Sequence, residues 1–489
     1  DDEQTVKVRE AYKVAIADLC KLSGYSEKDA QRIVANVMDI ETELAKAAMS
    51  RTEMRNLAAQ YNIRTMAQVD SVCPAVDWNM YLTDMYIPKV ETMCVMQPAS
   101  LEAVNKLLST KSEQAIKDYL SFHLINAASD YLSDDFRAVN FKMSSVITGA
   151  EKDKPRWKRA LAVPDGMLGE ALGQLYVEKY FPESSKKQML ELVNNLKASL
   201  GEHIAALTWM SDETKARAQE KLAAFTVKIG YPDKWKDYSG ITIDPEKSYW
   251  QNVKEACIFH VKEQNEKCGK PVDKAEWGMT PQTVNAYYNP STNEICFPAG
   301  ILQAPFFSPD ALDADNYGAI GVVIGHEMTH GFDDMGRQFD KDGNMVNWWT
   351  EEDSKKFNEL ADKLVAQFDS IVVLGDQHAN GRLTLGENIA DQGGLRVAYS
   401  AYQKTKEAKE NKTVDGFTPA QRFYLSYANV WADNIRDAEI LRRTKIDEHS
   451  LGRWRVNATL KNIEPFYKAF GIVAGDAMFL APEKRVVIW

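Results

Sequence analysis

Long apolar runs, cysteine, histidine and any excess of positive charge are scarce or lacking in this sequence. No stretch of about 18 consecutive apolar residues occurs, so no segment reads as a transmembrane helix. The six cysteines (Cys20, Cys73, Cys94, Cys257, Cys268, Cys296) contain no CxxC pair and are thinly spread over 489 residues. That excludes a disulfide-knit scaffold and leaves free thiols, with room for one or two bridges. No internal repeat, low-complexity tract or Pro-rich linker is found. Lys plus Arg number 59 against 70 Asp plus Glu, a formal charge of −11, and a nucleic-acid binder is thereby disfavoured because phosphates would be repelled. What is present is ordinary for a folded globular chain: 45% apolar and 26% charged residues, with a length that allows roughly two to four domains. The chain starts Asp1-Asp2 without methionine, as expected of a processed product whose signal peptide, lipid anchor or tether would lie upstream.

Helical periodicity dominates from Val6 to about Pro232. Ile33, Val37, Ile40 and Leu44 recur on one face after a start signal at Ser26 and Asp29. A second amphipathic stretch runs through Met189, Leu196, Leu200, Ile204 and Leu207, restarts at Ser211, and is expected to end at Gly230. A turn to Gly, Pro, Asp and Tyr between Pro232 and Trp250 predicts a boundary, with a helical domain over 1–235 and a second domain over 236–489. In the second, runs 284–288 and 294–297, separated by Asn289-Pro290-Ser291-Thr292-Asn293, predict a β-hairpin. Helices are expected over 317–332, 351–370, 384–402 and 419–441, giving a mainly α fold with a small β-sheet.

The chemistry concentrates in two short segments. His326-Glu327-Met328-Thr329-His330 falls in an apolar helix; residues four apart share a face, so both imidazoles can reach one metal ion while Glu327 can reach a water beside it. The bland alternative is a solvated helix face, but two buried imidazoles and a buried carboxylate would be costly without a partner. A tetrahedral catalytic zinc needs a third protein ligand. Gly386-Glu387-Asn388-Ile389-Ala390-Asp391 offers Glu387 as that ligand and Asp391, one turn on, as the acceptor that orients a ligating histidine. Thr384-Leu385-Gly386-Glu387 equally fits a capping box, in which Glu387 serves only the helix start. Gly393-Gly394 would let another backbone pack closely against this helix.

Five blocks in order make the text resemble the neprilysin family of zinc metallopeptidases, which includes endothelin-converting enzymes and bacterial PepO-type endopeptidases. They are Asn285-Ala286-Tyr287-Tyr288, the seven residues from Phe297 to Gln303, the segment from Val323 to Asp334, Gly386 to Asp391, and His449-Ser450 leading to Arg455. The resemblance runs over essentially the whole chain, but relatives carry a further helical stretch before the point matching Asp1. It implies a two-lobed glutamate-zincin, with a helical lid domain over a thermolysin-like catalytic domain, that limits access to short peptides.

On that resemblance one zinc ion is held by His326, His330 and Glu387. Glu327 is the general base, Asp391 orients His326, and Asp333 supports His330. His449 is the implied oxyanion stabiliser and Arg455 a donor to a substrate carbonyl; Leu451 stands where proline commonly follows His-Ser. Asn285 and Ala286 are expected on an edge strand that a peptide could extend through main-chain hydrogen bonds. Ile301, Phe306, Val323 and Trp431 correspond to the apolar pocket that directs cleavage before large hydrophobic residues. An upstream fragment of the same precursor is a further implied partner, and the compartment implied is extracytoplasmic, on the bacterial side of the family. Two other readings stand beside this one. An aminopeptidase of the related type would place its ligand glutamate much nearer His330 than Glu387 lies. A binding or adhesion protein on this scaffold would typically have lost the base or a ligand.

Overall fold

The computed structural model describes residues 2–489 and divides into two compact units built from interleaved segments. The first comprises Asp1–Leu168, Asp237–Pro271 and Arg436–Arg442; the second comprises Gly169–Lys236, Val272–Ile435 and Arg443–Trp489. A single cut at 235/236 therefore does not describe the units. Helices Glu183–Ala206 and Asp212–Ala223, assigned by periodicity to the first domain, send Met189, Leu196, Leu200, Ile204 and Leu222 into the core of the second unit. Amphipathicity reveals that a face is buried, not what it is buried against.

The first unit is almost wholly helical. Helix Glu27–Ala47 starts where the sequence places it, with the Ser26 side chain accepting from the Asp29 amide, and it buries Ile33, Val37 and Ile40. These pack with Ile16, Leu19 and Cys20 of helix Glu3–Leu22, Phe122 of helix Glu113–Ala128 and Val139 of helix Asp134–Thr148. Strands Ile63–Thr65 and Thr92–Cys94 pair antiparallel.

In the second unit a three-stranded sheet packs against helix Val322–His330. Strand Glu294–Pro298 is central, antiparallel to Tyr287–Asn289 with Tyr287 opposite Cys296, and parallel to Thr226–Gly230 with Thr226 opposite Glu294. The hairpin is where its turn chemistry predicts it. The parallel strand is not: residues 226–230 were expected to continue a helix, which instead stops at Ala223. Five residues ending in glycine leave no period to read, and their strand character comes from pairing with 294–298.

The helical run expected over 317–332 begins at Asp313, passes through a π-helical turn at Tyr317–Gly321 and ends at His330. The run over 419–441 breaks into Pro419–Val430 and Asp437–Ile446. No glycine or proline lies between 431 and 436 to announce the break. Where the first helix stops, the Trp431 ring lies under the Arg455 guanidinium, 3.8 Å from ring centroid to Cζ. All six cysteines are free thiols, with Cys20, Cys73 and Cys296 buried and the others exposed.

Candidate active site

Two helices of the second unit, Val322–His330 and Leu385–Tyr402, meet at a notch of glycines. A Cβ on Gly325 would stand 2.8 Å from the Gly394 Cα, and a Cβ on Gly394 would stand 2.6 Å from the Val322 carbonyl oxygen and 2.7 Å from the His326 nitrogen. Gly393 faces the Thr329 side chain equally closely, at 2.5 Å. Only glycine permits such backbone contact, and it brings Glu387 and Asp391 within reach of the histidines on the other helix.

The imidazoles of His326 and His330 face each other, Nε2 to Nε2, at 3.0 Å. Glu387 reaches both: Oε2 lies 3.2 Å from His326 Nε2 and Oε1 lies 3.5 Å from His330 Nε2. Each ring is gripped from behind. His326 Nδ1 is 2.9 Å from Asp391 Oδ1, and His330 Nδ1 is 2.7 Å from Asp333 Oδ2. Asp333 is itself fixed, its Oδ1 accepting from the Met335 and Gly336 amides. Carboxylates behind both rings favour protons on Nδ1, which turns both Nε2 lone pairs toward one another and toward Glu387. Glu387 Oε2, although buried, accepts no hydrogen bond among the described residues. Two imidazole nitrogens and a carboxylate converging on one point are the donor set that zinc takes, so the residues present fit that ion.

Glu327 shares the cluster, with His326, Glu327 and His330 offering ligand atoms within 4.8 Å of one another. The two glutamates nevertheless differ in electrostatics. Burial alone would raise the Glu387 carboxyl, but His330 and His326 outweigh it and hold it well below the usual range. Burial pushes the Glu327 carboxyl up, against the opposing pull of the imidazoles. Glu387 is thus held as an anion between the rings, while burial shifts Glu327 toward its protonated form. The capping alternative for Glu387 fails locally: Thr384 makes no side-chain cap, and its hydroxyl instead donates to the Asn380 carbonyl.

His449 stands at the same cluster, its Nε2 3.4 Å from Glu387 Oε2 and its Nδ1 2.9 Å from Asp447 Oδ1. Arg455 is buried and forms a bidentate pair with Asp391, Nε to Oδ2 at 2.9 Å and Nη2 to Oδ1 at 2.7 Å. Those donors are committed to Asp391, so the guanidinium is first a brace for the carboxylate that orients His326. Tyr427 donates to the Arg455 carbonyl and steadies helix Gly452–Leu460, which carries Arg455.

Asn285 and Ala286 do not lie on the edge strand, which begins at Tyr287. They form the irregular segment leading into it, Asn285 exposed and Ala286 buried. Strand Tyr287–Asn289 does sit at the sheet edge. Ile301 and Val323 are buried in the core of this unit, with Phe306 and Trp431 partly buried against it. The sequence reading missed Asp447, whose Asp-x-His spacing was the available signal, and Asn388 and Ser450, which lay unremarked inside quoted blocks.

Models of peptidase family M13 match residues 1–232 and 285–486. Neprilysin-11 of Caenorhabditis elegans is 34% identical over 98% of this chain, which spans 59% of that relative. The neutral endopeptidase of Lactobacillus helveticus is 34% identical over the full chain and 75% of its own length. Among solved structures, the zinc metalloprotease Zmp1 of Mycobacterium tuberculosis in complex with an inhibitor superposes with a TM-score of 0.93 at 38% identity, over all of this chain and 75% of that one.

Proposed function

This chain belongs to peptidase family M13, and from that premise we propose that its second unit is the catalytic body of a zinc endopeptidase that cuts short peptides on the amino side of large hydrophobic residues. The observation that carries this reading is Glu387, which arrives from a helix distant in sequence to lie between both imidazoles of the His-Glu-x-x-His segment. His326, His330 and Glu387 would hold one zinc ion. When bound, that ion supplies Lewis-acid chemistry, polarising a scissile carbonyl and acidifying a water.

The remaining work belongs to the chain. Glu327, with its carboxyl raised by burial, accepts the proton of the attacking water and delivers it to the departing amine. His449 donates from Nε2 to the oxygen on which negative charge develops, its ring fixed through Nδ1 by Asp447. Asp391, braced by Arg455, and Asp333 keep both ligand rings in register. Asn285 meets the main chain of the peptide next to the edge strand, and Arg455 offers its uncommitted edge to a substrate carbonyl. Ile301, Phe306, Val323 and Trp431 wall the pocket for the hydrophobic residue. The enzyme works outside the cytoplasm.

Metal analysis paired with cleavage of a quenched peptide carrying a central Phe tests the proposal. Glu327→Gln is expected to keep its zinc and lose about a hundredfold or more in kcat. Cleavage at the parental rate would exclude the mechanism.

A further inference from the structure

His449 presents a mechanical problem. Its side chain is 46% exposed, and it lies in an irregular stretch between helices Asp437–Ile446 and Gly452–Leu460. A side chain on such a segment wanders unless something holds it. Asp447 fixes the ring and the backbone, accepting from both His449 Nδ1 and the His449 amide, yet Asp447 belongs to the same segment. It shapes the loop without tying it to the helix that carries Glu387.

That tie is made by two buried residues. Ser450 Oγ donates to Asn388 Oδ1 at 2.8 Å. The direction of the chain of hydrogen bonds is fully determined: Thr384 Oγ1 donates to the Asn380 carbonyl, Asn388 Nδ2 donates to Thr384 Oγ1 at 2.9 Å, and Asn388 Oδ1 is left as acceptor for the Ser450 hydroxyl. Asn388 follows Glu387 and Ser450 follows His449. The bond therefore closes a small ring, Glu387-Asn388 to Ser450-His449 and back, across which His449 Nε2 lies 3.4 Å from Glu387 Oε2. The next link to the helix that carries Glu387, Arg455 to Asp391, comes from helix Gly452–Leu460, five residues beyond Ser450, and cannot set the side-chain direction of His449 alone.

We propose that Asn388 and Ser450 are positioning residues whose hydrogen bond aims His449 at the reacting carbonyl oxygen. This rests on the role assigned to His449 above. The bond touches neither substrate nor metal, so its removal is felt in the rate of the chemical step and not in substrate affinity.

The test is a double-mutant cycle in the full chain, following kcat, KM and bound zinc with the quenched peptide. Ser450→Ala is expected to keep its zinc, to hold KM within about twofold, and to lower kcat by about tenfold to a hundredfold, the range for a misplaced catalytic group. Ser450→Thr, which retains the hydroxyl, should recover most of that loss. Thr384→Val, which withdraws the acceptor for Asn388 Nδ2, should lower kcat in the same direction by a smaller factor and serves if Ser450→Ala does not fold. In a His449→Ala background neither change should lower kcat further. If the Ser450→Ala loss is repeated in full in that background, the bond is merely structural and the inference falls while the role of His449 stands. If His449→Ala cleaves at the parental rate, the role of His449 falls and takes the inference with it. An unchanged kcat in Ser450→Ala overturns the inference directly.

Discussion

Two buried charged clusters, one in each unit, hold their charge in opposite ways. In the first, Asp118 is buried among helices and every demand it makes is met nearby: Arg32 Nε lies 2.9 Å from Oδ2, with Asn36 at 2.7 Å and Gln114 at 2.8 Å. In the second, His326, Glu327, Glu387, Asp391 and Arg455 are buried together, and an oxygen of Glu387 is left without a hydrogen bond. A buried ion with a complete set of partners is architecture. A buried set whose free lone pairs converge on one point is a receptor for something further.

The contrast can be broken by experiment. The largest effect expected is for Glu387→Ala, which removes a ligand from the convergent set: zinc should be lost on dialysis and kcat/KM should fall by about three orders of magnitude. Gly394→Ala comes next. A methyl group 2.6 Å from the Val322 carbonyl must drive the helices apart, so thermal unfolding should show a cost of about 1–3 kcal/mol and chelator competition a weaker hold on zinc. Gly166→Ala, with open space around the added carbon, is the control expected to do neither. Asp118→Ala should leave zinc and kcat as they are and cost about 1–3 kcal/mol in the first unit, seen by urea unfolding; loss of zinc in that variant would erase the distinction between the units. The smallest effect concerns acid. Burial would raise the Asp118 carboxyl, but Arg32, Gln114 and Asn36 together hold it below its ordinary value. A carboxylate depressed on folding contributes stability above its unfolded pKa of about 3.9 that is lost as pH falls through the folded value. The stability gap between parent and Asp118→Ala should therefore narrow progressively below about pH 4.

Much of the second unit's chemistry was legible because it is local. The i, i+4 histidines, the i, i+4 carboxylates of Glu387 and Asp391, and the glycines after them are spacings along single helices, and each predicts a face. The start of helix Glu27–Ala47 at Ser26 was readable for the same reason. What stayed hidden depends on other segments: the strand at 226–230 exists through its partner at 294–298, and the commitment of Arg455 to Asp391 through two helices meeting. Membership of the helices at 183–223 in the second unit is hidden likewise, since their apolar stripe fits any core of suitable shape.

The glycine notch has a consequence for anyone who would move this chemistry elsewhere. The spacing between the imidazoles and Glu387 is dictated by main chain lying on main chain, so grafting the ligand side chains onto a borrowed helix pair that crosses at ordinary separation would transplant the groups and leave the ion out of their grasp. A designer would have to carry Gly325, Gly393 and Gly394 along with the ligands, as part of the same transferable unit.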